Sequence, residues 1–583
     1  MSIPSLWITK MRKTSKFLLI FILITGWIFS GWPQIFNFPP KIQQARAATA
    51  GPSFPTSGVN DSSIGATAWT TPGNVTATDN TRANVSLAKN SGVSQAIKAT
   101  GFGFAIPADA EINGITVEWE TSEGGLAAAG GIKDNAVRIV KAGTIGATDN
   151  SNTTFWVAPA SEAFVSYGGV ADLWGEVWTA TDINSANFGA AISAKNVKVS
   201  GGGANEDADV DSVRITITYT LPTYNQSAYR AFNNLDSTDV GTTLAAQDTA
   251  ATLGSTGAAF RLRMLLHIGA AQLGVSAQNF KLQFAQQSGT CDTAFVGETY
   301  ADVTAATVIA YNDNLTPADG ATLTANASDP THGADTIVNQ TYEELNNFTN
   351  SVAAIPSAQD GKWDFSLKDN GATASTAYCL RAVKSDATVL NTYTVIPQIT
   401  TAAASSLTFV VSTDNFSTLT PGSPVFATST LSVDTNNSTG WNVTASRDDA
   451  DTTMDLDTDA TVNITDQTAW VPGAATTTAG NAARISSLIN SGDVLAMRVM
   501  TASGTVSFIS TAWWGTTDSY IDSATTLWAG FNSTAQKIGD SSVSSGGSAK
   551  LNTVLYYLDV PSTQRTGAYS GGITYTATMN PPI

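Results

Sequence analysis

Two groups of side chains have types and spacings that can do chemistry. The first is acidic. Asp455-x-Asp457-x-Asp459, followed by Asn463 and Asp466, fills positions 1, 3, 5, 9 and 12 of a twelve-residue calcium loop. Calcium takes roughly six to eight oxygen ligands, and this spacing supplies several. Ala460 stands where such a loop turns on glycine, and Asp466 stands where it uses a bidentate glutamate. On a strand the same alternation would instead line the carboxylates along one solvated face. Asp207-x-Asp209-x-Asp211, beside Glu206, poses the same choice. A structural calcium ion is the cofactor that these runs admit, and nothing in the sequence requires one.

The second group is aromatic. Trp156, Trp174 and Trp178 fall close together with Phe155 and Phe188, interleaved with Asp172, Asp182, Asn184 and Asn187. Flat rings beside amides and carboxylates can dock a sugar, the faces stacking while the polar groups pair with hydroxyls. The alternative is core packing, since Trp is largely buried on average. Trp513-Trp514 and Trp528 raise the same question.

Signatures of catalysis are absent: the sequence has no G-x-S-x-G elbow and no H-E-x-x-H. Its two histidines are His267, in an alternating stretch, and His332, in the turn-like Asp329-Pro330-Thr331-His332-Gly333. Zinc usually takes four ligands, so neither is read as one. No catalytic residue is assigned. Cys291 and Cys379 are the two cysteines, and in an exported chain an even pair implies one disulfide.

These groups must be positioned by strands. Ile115, Val117 and Trp119 alternate with polar residues, as do Val213, Ile215, Ile217 and Tyr219, and Phe280, Leu282 and Phe284. Phe260 to Ile268 and Ile573 to Met579 repeat the pattern. Period-two alternation is the mark of a half-buried strand, one face in a core and the other in water. Helices are expected only over Thr341–Val352, with Glu343 and Glu344 in its first turn, and over Asn481–Asn490. The fold class is all-β: tandem antiparallel β-sandwich domains with a few short helices. Composition shifts at Leu221-Pro222-Thr223 and at 400–406 divide the chain into a signal segment at 1–50 and domains at 51–221, 222–404 and 405–583, the first jelly-roll-like.

The signal segment shows Lys10, Arg12, Lys13 and Lys16, then an apolar run from Phe17 to Trp32, then Ala45-Arg46-Ala47. That order is read as a secretory signal cut near Ala47 or Ala50, the alternative being an uncleaved N-terminal anchor. The run has 16 residues, short of the roughly 20 of a spanning helix, and no second long run follows. No membrane span is expected after cleavage, and the location is extracellular or at the cell surface. Without the six basic residues of positions 1–50, 23 basic face 47 acidic residues, a balance of −24. Nucleic acid, which needs a basic surface, is excluded as a partner.

Tyr378-Cys379-Leu380-Arg381-Ala382-Val383 resembles the late strand of a fibronectin type III-like or immunoglobulin-like module. Asp360–Phe365 and Asn391–Val395 suit neighbouring strands of it. The middle third thus resembles modules of large bacterial surface proteins, which implies a structural, adhesive or surface-layer role and no catalytic residues. Gly440-Trp441-Asn442-Val443 and Tyr569–Tyr575 are similar in layout to WxL wall-binding domains, departing where Val443 replaces Leu and where no second W-x-L occurs. The expectation is an exported structural or adhesive surface protein without catalytic activity. Its partners would be cell-envelope glycans or other surface proteins, with self-assembly through edge strands. The competing expectation is an extracellular glycan-binding protein accessory to polysaccharide recognition or degradation.

Overall fold

The computed structural model describes residues 47–581, apart from 91, 125–130, 199–204, 346, 414, 449, 452, 474–477, 489–493, 502–510 and 516–522. The expected signal segment up to Arg46 lies outside the described residues. Among the described residues, no helix is long and apolar enough to cross a membrane.

The alternating segments become strands, and they pair into facing sheets. In the first unit, one sheet runs Ala48–Ser53, Asn205–Thr220, Glu111–Gly124, Phe164–Gly169, with Ala83–Ala88 also on Asn205–Thr220. The second runs Ser57–Asp61, Ala96–Thr100, Gly189–Asn196, Ile132–Lys141, Thr144–Ile145. All pairs are antiparallel. Ile115, Val117 and Trp119 meet Ile97, Val137 and Ile192 in a single core, which makes the two sheets a sandwich. The first strand opens at Ala48, whose register partner is Tyr219.

The middle unit begins at Thr223, with two residues between it and the last strand of the first. One sheet runs Ile309–Tyr311, Gln359–Asp369, Ala259–Gly269, Thr223–Asn233, Thr392–Tyr393. Ile337–Glu343 adds a parallel neighbour to Gln359–Asp369, and Thr392–Tyr393 runs parallel to Thr223–Asn233. The facing sheet holds Ala251–Thr252, Gln398–Thr400, Ala377–Lys384, Asn279–Gln286 and Ala301–Asp302. Asp360–Phe365 and Thr392–Tyr393 therefore lie in the sheet opposite Tyr378–Val383, across the core from it rather than beside it. Cys291 and Cys379 are disulfide-bonded, with Cα atoms 5.4 Å apart. In the last unit, Leu407–Thr413, Val425–Thr435, Lys550–Asp559 and Val494–Thr501 form one sheet, and Gln536–Ser541, Trp441–Arg447 and Ile573–Met579 another.

Two expectations are corrected here. Thr341–Val352 is not helical among the described residues: it supplies the strands Ile337–Glu343, in part, and Asn347–Thr349. Thr341, Asn347, Thr349 and Asn350 are poor helix formers, and pairing of Tyr342 and Glu343 with Gln359–Asp369 and of Asn347–Thr349 with Asn279–Gln286 decides the outcome. Of Asn481–Asn490, only Ile485–Leu488 is helical among the described residues, with 489–490 outside them. The second face of Ala259–Gly269 is covered over Arg261–Leu265, where Arg261, Arg263 and Leu265 are as buried as Leu262 and Met264, and opens to water only at His267 and the strand ends.

Glu343, expected at an exposed helix start, is buried on its strand. Desolvation pushes its carboxyl up to about 8, with Asp319 adding to the effect and the Thr341 hydroxyl opposing it. Tyr311 is among the groups that feel its charge. The native state thus holds this proton more tightly than the unfolded chain does. Its contribution to stability is full below the ordinary glutamate range and is lost as pH rises through about 8. The melting temperature of the middle unit is expected to fall between about pH 5 and about pH 9, and Glu343→Gln to flatten that fall in a calorimetric pH series.

Candidate metal centre

The acidic run that matches a calcium loop does not form one. It lies on the hairpin Thr453–Leu456 and Asp459–Thr465, with no helix on either side. Asp455 accepts from the Thr453 hydroxyl at 2.7 Å, and Asp457 from the Ser570 hydroxyl at 2.7 Å. Asp459 accepts from Thr461 and from Arg565, which hold its carboxyl below the usual carboxylate range. Asn463 sits across the hairpin from Asp455. Asp466 is buried in a bidentate pair with Arg447, at 2.8 and 2.7 Å. Each carboxylate thus faces a separate protein donor, and the set does not converge on a common point.

The second run, on the strand Asn205–Thr220, forms no converging cluster among the described residues either. Asp209 accepts from Asn84 at 2.7 Å. Asp211 is buried, and desolvation with Glu120 and Glu162 beside it pushes its carboxyl up to about 6.

The aromatic group is core. Trp156, Trp174 and Trp178 belong to the buried cluster of the first unit. Their indole N–H groups donate inward, Trp156 to Asp134 at 2.8 Å, Trp174 to the Ile115 carbonyl at 2.9 Å and Trp178 to the Leu173 carbonyl at 2.9 Å. A ring packed and tethered this way has no face for a sugar. Trp513, Trp514 and Trp528 are buried as well. The reason is general: an indole removes a large apolar area from water, and a sandwich core is where that area goes.

A different constellation does converge, and sequence reasoning set its histidines aside. Both histidines of the chain meet, 65 positions apart, with ring centroids 5.0 Å apart. His267 projects from Ala259–Gly269 on the face that also carries Arg261 and Arg263. Asp360 is its register partner on Gln359–Asp369. The segment leading into Ile337–Glu343 brings His332 and Asp335, because Ile337 itself pairs with Asp360. From His267 Nδ1, Asp335 Oδ2 is 3.0 Å away and Asp360 Oδ2 3.7 Å. From His332 Nδ1 the same oxygens are at 3.0 and 3.3 Å. The four donor atoms all lie within 4.8 Å of one another, and this is the one such group among the described residues.

The surroundings are built around Asp360, which is fully buried. Its other oxygen, Oδ1, accepts from the Ser227 hydroxyl at 2.7 Å. Burial raises the Asp360 carboxyl above its ordinary range. Desolvation acts the same way on Asp335, but contact with Asp360 and the two histidines outweighs it and holds Asp335 low. Two carboxylates this close repel unless a proton or a cation lies between them. In sequence, the visible sign was His332-x-x-Asp335; the pairing of His267 with Asp360 depends on strand register.

No protein-family model matches the chain, and no curated protein matches it. Among solved structures, one match is the CsuC–CsuE chaperone–tip adhesion subunit pre-assembly complex from archaic chaperone-usher Csu pili of Acinetobacter baumannii. It shares 10% identity over 60% of this chain and 99% of that one, with a TM-score of 0.15. A likeness at that TM-score carries no argument about this chain.

Because its ring is enclosed in the core, Trp174→Ala is expected to destabilise the first unit by about 3–5 kcal/mol in denaturant unfolding. On a glycan array the wild-type chain should show no sugar signal that this substitution removes.

Proposed function

We propose that the chain is an exported structural or adhesive cell-surface protein that works without catalysis. The observation that carries the reading is the position and pairing of the first strand. The first strand opens at Ala48, directly after Ala45-Arg46-Ala47, and pairs at once with Tyr219, Thr218 and Ile217. Cleavage after Ala47 leaves that strand whole, whereas cleavage after Ala50 would remove three paired residues. The disulfide supports the same compartment, since such bonds persist where the surroundings are oxidising.

The all-β units support a structural role. Their connections are short, and the first joint is bonded: Tyr224 donates to Asp109 at 2.8 Å, and Lys384 reaches the same carboxylate at 3.4 Å. A cleft of about 600 Å³ where the middle and last units meet is lined by small and amide residues such as Gly254, Ser255, Ala403 and Asn436, with no ionisable side chain. The resemblance of the middle unit to bacterial surface modules points the same way. Recognition of glycans loses the three indoles on which it rested, so other surface proteins are the favoured partners.

Fractionation of the native host tests the proposal. The chain is expected in the cell-envelope fraction with Ala48 as its N-terminal residue by Edman or mass-spectrometric sequencing. Recovery wholly from the cytosol, with Met1 intact, would overturn it.

A further inference from the structure

The geometry points to His267, His332, Asp335 and Asp360 as the ligands of a divalent transition-metal ion of the zinc type, which clips the 329–336 segment to the sheet. The inference is independent of where the chain works.

Distances carry it first. A tetrahedral ion with bonds of about 2.0–2.1 Å needs its donors about 3.3–3.4 Å apart. The four His–Asp separations are 3.0, 3.0, 3.3 and 3.7 Å, which bracket that edge length. Chemistry carries it next. Two imidazole nitrogens and two carboxylate oxygens suit zinc and its neighbours, whereas calcium prefers an all-oxygen shell. With neutral imidazoles, two carboxylates balance a divalent ion, so the occupied site is uncharged and can be buried.

Three further observations separate this group from an ordinary surface cluster. His267 Nδ1 is sealed from solvent and makes no hydrogen bond of acceptable geometry, although Asp335 Oδ2 is 3.0 Å away. A nitrogen at that distance but out of line fits a lone pair directed between the oxygens. Asp360 has one oxygen committed to Ser227, which fixes its orientation and leaves Oδ2 for the cluster. Such outer hydrogen bonds are the usual support of a ligating carboxylate. The basic residues further along the same face are also occupied, Arg263 by Asp364 and Asp329, and Lys362 by Asp329. Those pairings leave the Asp335–Asp360 charges to the two histidines and whatever ion they hold.

The role that follows is structural. His267 and Asp360 belong to paired strands, while His332 and Asp335 belong to the segment that packs over them. An ion shared by all four would hold that segment down much as the disulfide holds another part of the same unit.

The test uses the intact exported chain, stripped with EDTA and dialysed against Zn²⁺. We expect one zinc per chain by elemental analysis, a higher melting temperature with zinc than with EDTA, and the visible spectrum of four-coordinate cobalt when Co²⁺ is loaded instead. His332→Ala and Asp335→Asn change the covering segment and leave the strand ligands in place. Each should reduce uptake at least tenfold while circular dichroism stays that of wild type. Should either variant misfold, the cobalt spectrum of the wild-type chain decides alone. No stoichiometric uptake by wild type, uptake unchanged in a folded variant, or binding of Ca²⁺ in preference to Zn²⁺ would each overturn the assignment.

Discussion

The middle unit depends on one carboxylate. Asp364 lies fully buried between two equally buried arginines. Arg261 takes both its oxygens, at 2.9 and 2.8 Å, and Arg263 Nε reaches Oδ2 at 2.8 Å. Burying an ion pair is costly, and leaving one partner alone costs about 3–5 kcal/mol more. The arrangement stands because the remaining donors are met: Arg261 also donates to the carbonyls of Leu235 and Ser237, and Arg263 to that of Thr238. Those carbonyls belong to the chain that covers the sheet. The charge network therefore fixes the cover, and the cover excludes the water that would weaken the network.

That second, polar interior explains where the candidate ion site arises. Alternate residues of Ala259–Gly269 enter the apolar core, and the others enter the covered layer. At one end of this layer are Arg261, Arg263 and Asp364; at the other is His267 facing Asp360. Each end uses oppositely charged or metal-type donors drawn from separate segments. A hydrophobic cover would hold the same loops by area alone. A polar one holds them by direction, since every hydrogen bond has a preferred line.

How far the sequence revealed this can be judged residue by residue. Ile115, Val117 and Trp119, and Val213, Ile215 and Ile217, show their buried face through simple alternation, and all six are in the core. The rule fails at Arg261 and Arg263, because local pattern records polarity and cannot register a loop folded over it. It fails at Thr341–Val352 because a parallel partner lies some twenty residues further on. Asp455, Asp457 and Asp459 had ligand spacing without ligand geometry: spacing along a strand says nothing of what stands opposite. Beyond His332-x-x-Asp335 the histidine site had no spacing to notice, and the meeting of His267 with His332 depends on strand register and on the course of one loop.

The registers of the terminal strands have a mechanical consequence. In the first unit the opening strand pairs antiparallel with the closing one, Ala48 against Tyr219, so the chain enters and leaves at the same end. Tension across those two residues would load one backbone bond at a time, and the pair would peel. In the middle unit the opening strand Thr223–Asn233 lies in one sheet and the last strand, Gln398–Thr400, in the facing one, so the two share no ladder. The same tension there finds no such terminal pair to peel. Stretched as one thread, the chain would begin to yield where the first unit opens and closes.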